Sequence, residues 1–120
     1  MIRLIEGLPS NVIGFEAVGE VESDDYKNVL DPALDAAVAD HDKIRFLYVL
    51  GAEFEGYSGG AMWQDTKVGV SHWAKFERIA FVSDHKAYDD MVKAFGWMIP
   101  GKLKVFALAD LADAKEWVVE

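Results

Sequence analysis

Ser58 stands in the pentapeptide GYSGG, Gly56 to Gly60. This fits G-x-S-x-G, the turn that exposes a nucleophilic serine in many esterases and lipases. Such a serine needs three things: a strand running straight into the turn, a histidine base in reach, and an acid to orient that histidine. Here "AEFEGYSGG" reads as a loop, so Gly51 to Glu55 separate the preceding strand from the turn. The histidines are His41, His72 and His85. His72 follows Asp65 by seven residues on one helix face with Gly69 between them, and an exposed pair at that spacing is most simply solvated. Asp84 and His85 are chain neighbours, and adjacent side chains seldom point at one site. A small serine hydrolase is therefore the remote reading, and no catalytic residue is assigned. No H-E-x-x-H, phosphate-binding or dinucleotide-binding glycine motif is present, and neither a metal nor a cofactor is expected.

The 120 residues suit one domain, 1–120. With 52% apolar residues the chain can build a core, and with no cysteine it has neither disulfides nor thiol chemistry. That composition suits a cytoplasmic protein, and the polar start "MIRLIEGLPSN" does not read as a signal peptide. A net charge of -9 repels nucleic-acid phosphate, which sets that partner aside.

The elements follow from periodicity. "MIRLIEG" and "NVIGFEAVGEV" read as a strand pair joined by the turn "LPSN". Ser23 reads as an N-cap, followed by Tyr26, Val29, Leu30, Ala33, Leu34, Ala37 and Val38 at helical spacing. Pro32 inside that stretch predicts a kink or a helix in two parts. "KIRFLYVLG" is a continuous apolar run, as in a central strand covered on both faces. "AMWQDTKVGVSHWAKF" reads as a helix and "RIAFVSD" as a strand. Asp84 is placed to cap a helix striped by Tyr88, Met91, Val92 and Phe95. "KLKVFAL" is a last strand, and Asp110 is placed to cap a last helix with Leu111, Ala114, Trp117 and Val118. The order β-β-α-β-α-β-α-β-α implies an α/β domain, a mixed and mostly parallel sheet flanked by helices.

This order, with "DDYKNVLDPALDAAVADHDKIRFLYVLG", "FEGYSGGAMWQDTKVGVSHWAKFERIAFVSD" and "KVFALADLADAKEW", resembles the SpoIIAA-like proteins, a branch of the STAS domains. In anti-sigma-factor antagonists of that superfamily a D-x-S-G loop carries a phosphorylated Ser or Thr. Ser58-Gly59 matches the Ser-Gly, but Glu55 stands three residues before Ser58 in place of an Asp two before it. The resemblance makes Ser58 a candidate phosphorylation site in a protein–protein regulator, since a phosphate is welcome at a helix N-terminus. For the SpoIIAA-like branch it implies instead a homodimer and a hydrophobic or lipid-like ligand, with peripheral membrane contact as a further expectation.

The aromatic residues give that ligand a place. Trp63 and Trp73 lie ten residues apart, roughly 80° around a helix axis. With Phe54, Tyr57 and Met62 they are expected to wall an apolar pocket at the C-terminal end of the central strand, where open α/β sheets bind ligands, with helix N-terminal amides near Ser58 taking a polar or anionic head. "FGWMIPG" adds Trp97 and Met98. The surplus Phe95, Trp97, Met98 and Ile99 marks a dimer contact, a lid or a membrane-inserting tip, with Lys93, Lys102 and Lys104 nearby. The expected ligand-binding set is Phe54, Tyr57, Ser58, Trp63, Trp73, Trp97 and Met98.

Overall fold

A computed structural model describes residues 1–58, 73–95 and 101–120. Five strands form one sheet in the order β1-β2-β3-β4-β5. They are β1 (Ile2–Ile5), β2 (Val12–Val21), β3 (Ile44–Tyr57), β4 (Phe76–Val82) and β5 (Lys102–Phe106). β1 and β2 are antiparallel, as a short turn requires, and every later pairing is parallel. The sheet is thus mixed and mostly parallel, as the sequence implies.

The first helical segment is built in three pieces: α1 (Ser23–Asp25), a π-helical turn (Tyr26–Leu30) and α2 (Asp31–Asp40). Pro32 explains the division. It cannot donate a backbone bond, and its ring crowds the carbonyl four residues back. The Asp31 N–H instead reaches Tyr26 O, five residues back, which widens the helix there. The N-cap is Glu22 rather than Ser23, because the Asp25 carboxylate accepts the Glu22 N–H at 2.8 Å.

Three further expectations change. β3 does not stop at Gly51 but runs to Tyr57, so residues 52–57 are strand rather than loop. The expected helix over 61–76 falls mostly outside the described residues. Its last part differs: Trp73–Lys75 is a 3-10 turn and Phe76 opens β4, buried against Phe46 at 5.6 Å. Asp84 does not cap the helix α3 (Lys86–Phe95). Ser83 Oγ accepts the His85 N–H there, while the Asp84 carboxylate accepts the Leu108 N–H and ties the start of the last helical segment. β5 ends at Phe106, and a 3-10 turn (Leu108–Asp110) leads into α4 (Leu111–Val119). Asp110 holds the N-cap position of α4 without a side-chain cap bond.

The sheet has two unlike faces. One carries Phe15, Phe46, Tyr48 and Phe81 beneath Tyr26, Leu30, Leu34 and Ala37, with Tyr88 and Val92 of α3 packed alongside. The other carries Leu47, Val49, Ala80 and Val82 beneath Ala114 and Val118 of α4. Trp117 is half-buried at its margin against Phe106.

On this second face Arg45 and Arg78 are register neighbours. Side by side, two guanidinium groups repel. Each is held by the C-terminal carbonyls of α4, the negative end of its dipole. Arg78 donates to Trp117 O at 2.6 Å and Arg45 to Val118 O at 3.0 Å. Arg45 also pairs with Glu77 at 3.0 Å, and Arg78 lies over the Trp117 ring at 5.0 Å.

Arg78→Ala removes a charged bond to a carbonyl together with its ring contact. It is expected to lower unfolding free energy by about 1–3 kcal/mol, read from urea denaturation followed by circular dichroism. The exposed Arg3, paired with Glu16 at 3.2 Å, is the control: Arg3→Ala should cost less than about 1 kcal/mol.

Candidate functional site

The C-terminal end of β3 departs from a regular strand. Its pairing with β2 is even through Ala17↔Leu50 and then slips twice, so that Gly19 faces Phe54 and Glu20 faces Gly56. Gly19 has φ +63 and Gly56 has φ +141, conformations that a side chain disfavours. The first glycine of GYSGG therefore serves the backbone. In a regular strand, side chains three residues apart point to opposite faces. The irregularity undoes that, and the Phe54 and Tyr57 rings meet at 5.2 Å.

α3 completes the cluster. Tyr88 lies 5.7 Å from Phe54 and 5.5 Å from Tyr57, and the His85 ring lies 5.2 Å from Phe54. All four contacts are edge-to-face, the arrangement aromatic quadrupoles favour. Phe54 is buried, Tyr57 and Tyr88 are half-buried and His85 is exposed, so the cluster opens from core to surface.

Tyr57 also begins a polar thread. Its hydroxyl donates to the Tyr48 hydroxyl at 3.1 Å, and the Tyr48 and Tyr26 hydroxyls lie 3.2 Å apart. Tyr26 is fully buried in the π turn and Tyr48 is 6% exposed. A buried hydroxyl is costly unless it is bonded, and here the phenols bond one another.

Ser58 is half-buried and is the first residue beyond β3, with its N–H bonded to Val21 O at 2.8 Å. A strand running directly into Ser58 removes the geometric objection to a nucleophile turn raised by the expected loop. The chemical requirement remains, and the His85 ring lies against Phe54 and Tyr88. Among the described residues, no three His, Asp or Glu come together to hold a metal ion, and no helix is long and apolar enough to cross a membrane.

Of the expected pocket residues, the structure brings Phe54 and Tyr57 together and sets Ser58 beside them in the chain. Trp63, Trp97 and Met98 lie outside the described residues, as do Met62, Ile99, Asp65 and His72 and the side chains of Trp73 and Phe95. Tyr88, His85, Tyr48 and Tyr26 were not expected at the site. A tyrosine within the apolar run FLYVL was their one signal, because its hydroxyl requires a partner.

A concavity of about 530 Å³ lies between β5 and α4. Its lining includes Asp110, Asp113, Glu116 and Glu120, and Lys104 lies over the Phe106 ring at 5.2 Å. That polar lining does not suit an apolar ligand.

Comparison with known proteins now bears on this geometry. The family model described as SpoIIAA-like matches residues 12–119. The chain belongs to the SpoIIAA-like family. An uncharacterized protein with a SpoIIAA-like fold from Shewanella loihica PV-4 is similar in structure, with a TM-score of 0.77 and 28% identity. The match covers 98% of this chain and 92% of that one. No curated protein matches. The α/β STAS-type fold is thereby established, and it suits a regulatory or binding module. In this SpoIIAA-like chain the bulged end of β3 is the feature that gathers the aromatic rings.

Gly56→Ala forces a Cβ onto a left-handed backbone position at φ +141. It is expected to destabilise the protein by about 1–3 kcal/mol. It should also weaken the near-ultraviolet circular dichroism of the tyrosines, because Tyr57 leaves its ring neighbours. Gly7→Ala, also at positive φ but in the turn before β2, should leave that signal intact.

Proposed function

We propose that this SpoIIAA-like domain is a non-catalytic binding module that holds a hydrophobic, lipid-like molecule at the C-terminal end of β3. The observation that carries this reading is the cluster of Phe54, Tyr57, Tyr88 and His85, which opens from the buried Phe54 to the exposed His85. Its position supports the reading too. The C-terminal ends of parallel strands are where open α/β sheets bind ligands. Burying an alkyl or aryl chain against such rings gains about 25 cal/mol per Å² of apolar surface. The module acts by binding, as a cytoplasmic homodimer. Trp63, Trp73, Trp97 and Met98 are proposed to complete the apolar wall, and the surplus around Phe95 to Ile99 to serve the dimer contact or a membrane surface.

A second reading is a protein–protein regulator switched by phosphorylation of Ser58. It is favoured by one observation, that Ser58 directly follows the last residue of β3. Mass spectrometry of protein purified from its source cells would show one added phosphate, lost in Ser58→Ala, if that reading holds.

The binding reading is tested with diphenylhexatriene, an apolar dye that fluoresces when buried. Wild-type protein should bind it saturably, Ser58→Ala equally well, and Tyr88→Ala about tenfold more weakly, the loss of roughly one aromatic contact set. Tyr88 is half-buried, so a thermal melt should show the variant folded. Dye affinity unchanged in Tyr88→Ala contradicts the placement of the site, and no saturable binding by the wild type contradicts the reading.

A further inference from the structure

We infer that His85 sets the head-group preference of this site, favouring an apolar molecule that ends in an uncharged hydrogen-bonding group, such as a long-chain alcohol, over a carboxylate or a plain hydrocarbon. The inference rests on the reading of the aromatic cluster as a ligand site. Its warrant is the position of His85 at the outer end of that cluster. The imidazole stands nearly perpendicular to the buried Phe54 ring at 5.2 Å, with Tyr88 at 6.1 Å, and His85 is exposed where those two are not. Its backbone is held on both sides. The His85 N–H donates to Oγ of the buried Ser83 at 2.8 Å, and the His85 carbonyl accepts the Asp89 N–H at 3.0 Å. The ring nitrogens bond no side chain among the described residues. A histidine presents an apolar body and a polar tip, so it can cover Phe54 and still meet a hydrogen-bonding group.

The charge around His85 decides which group that is. A neutral imidazole has one donor and one acceptor nitrogen. A hydroxyl also donates and accepts, so it can satisfy either of them. A carboxylate only accepts, and it would enter a region that is already negative. Asp84 precedes His85, and Asp89 follows it by four residues, the spacing that makes side chains on a helix neighbours. The Asp84 carboxylate accepts the Leu108 N–H, a neutral donor that leaves its charge in place. One oxygen of Asp89 is buried and has no hydrogen-bond partner among the described residues. The adjacent cation, Lys86, is paired with Asp90 at 3.0 Å. Charges closer than about 8 Å act on one another even in physiological salt, so both carboxylates disfavour an anionic head at His85. A hydrocarbon escapes that repulsion but leaves the imidazole nitrogens to water.

The test uses three probes on the intact protein: a conjugated-polyene fatty alcohol, the fatty acid of the same chain, and diphenylhexatriene. It is run at about pH 8, where an ordinary imidazole is uncharged and a carboxylate is ionised. Wild-type protein should bind the alcohol more tightly than the acid. His85→Phe keeps a ring on Phe54 and removes the nitrogens. It is expected to weaken the alcohol about fivefold, as for loss of a neutral hydrogen bond, and to leave diphenylhexatriene within about twofold. His85→Gln keeps a donor and an acceptor and should retain most of the alcohol affinity. Asp89→Asn should tighten the acid about twofold and leave the alcohol unchanged. Alcohol affinity unchanged in His85→Phe, or an equal loss for the alcohol and diphenylhexatriene, overturns the inference while leaving the binding reading intact. So does wild-type protein that prefers the acid. Should His85→Phe fail to fold, His85→Ala is judged by the alcohol's loss relative to that of diphenylhexatriene, and equal losses overturn the inference. Binding of none of the three probes by the wild type overturns both.

Discussion

Everything at the candidate site depends on the parallel pairing of β2 with β3 losing its register after Ala17↔Leu50. Up to that pair the two strands run evenly and build the core. Beyond it β3 carries extra residues, and Gly19 and Gly56 absorb the strain at positive φ. A bulge of this kind re-aims side chains. Without it Phe54 and Tyr57 would point to opposite faces, and the Tyr57 hydroxyl would have no path to Tyr48. The glycines of a motif that resembles a nucleophile turn are thus explained, in part, by backbone geometry.

The two ends of the sheet are held by unlike interactions. At the N-terminal ends of β3 and β4, Arg45 and Arg78 fasten the last turn of α4, and Glu77 offsets part of their charge. At the C-terminal ends the contacts are aromatic and the polar atoms are phenol hydroxyls. Such contacts are individually weak, about 0.5–1.5 kcal/mol each beyond burial, and can be exchanged for contacts with a guest. Charged bonds to helix carbonyls cannot be exchanged so readily. The π turn at Tyr26 joins the aromatic region to the helical layer, since the residue that opens it also bonds the Tyr48 hydroxyl.

The fold was legible because its signals are periodic. The run KIRFLYVL has the continuous apolarity of a covered parallel strand, and Leu30, Leu34 and Ala37 recur at helical spacing. Residues 52–57 were misread because glycine and glutamate punctuate them, and a bulge breaks alternation just as a loop does. Glu22 displaced the expected cap at Ser23 by one residue, a distance that periodicity does not resolve, and the Asp84 carboxylate is taken by the Leu108 N–H instead. Of the site, Phe54 and Tyr57 were legible from their place at a strand end. Tyr26 and Tyr88 carried helical periodicity and so read as core stripe, and nothing local tells a stripe tyrosine from a site tyrosine. Their partners are distant in sequence, Tyr48 for Tyr26 and Phe54 for Tyr88, and only the folded sheet joins them.

The central claim is that the bulged end of β3 in this SpoIIAA-like chain is a seat for an apolar molecule. Native mass spectrometry of freshly purified protein, followed by solvent extraction, tests it without choosing a ligand in advance. A mass increment of lipid size that is released into the solvent, and that is absent from Tyr88→Ala prepared in parallel, is the result the account predicts. Wild-type protein at its bare sequence mass, or an increment that persists unchanged in Tyr88→Ala, would contradict it.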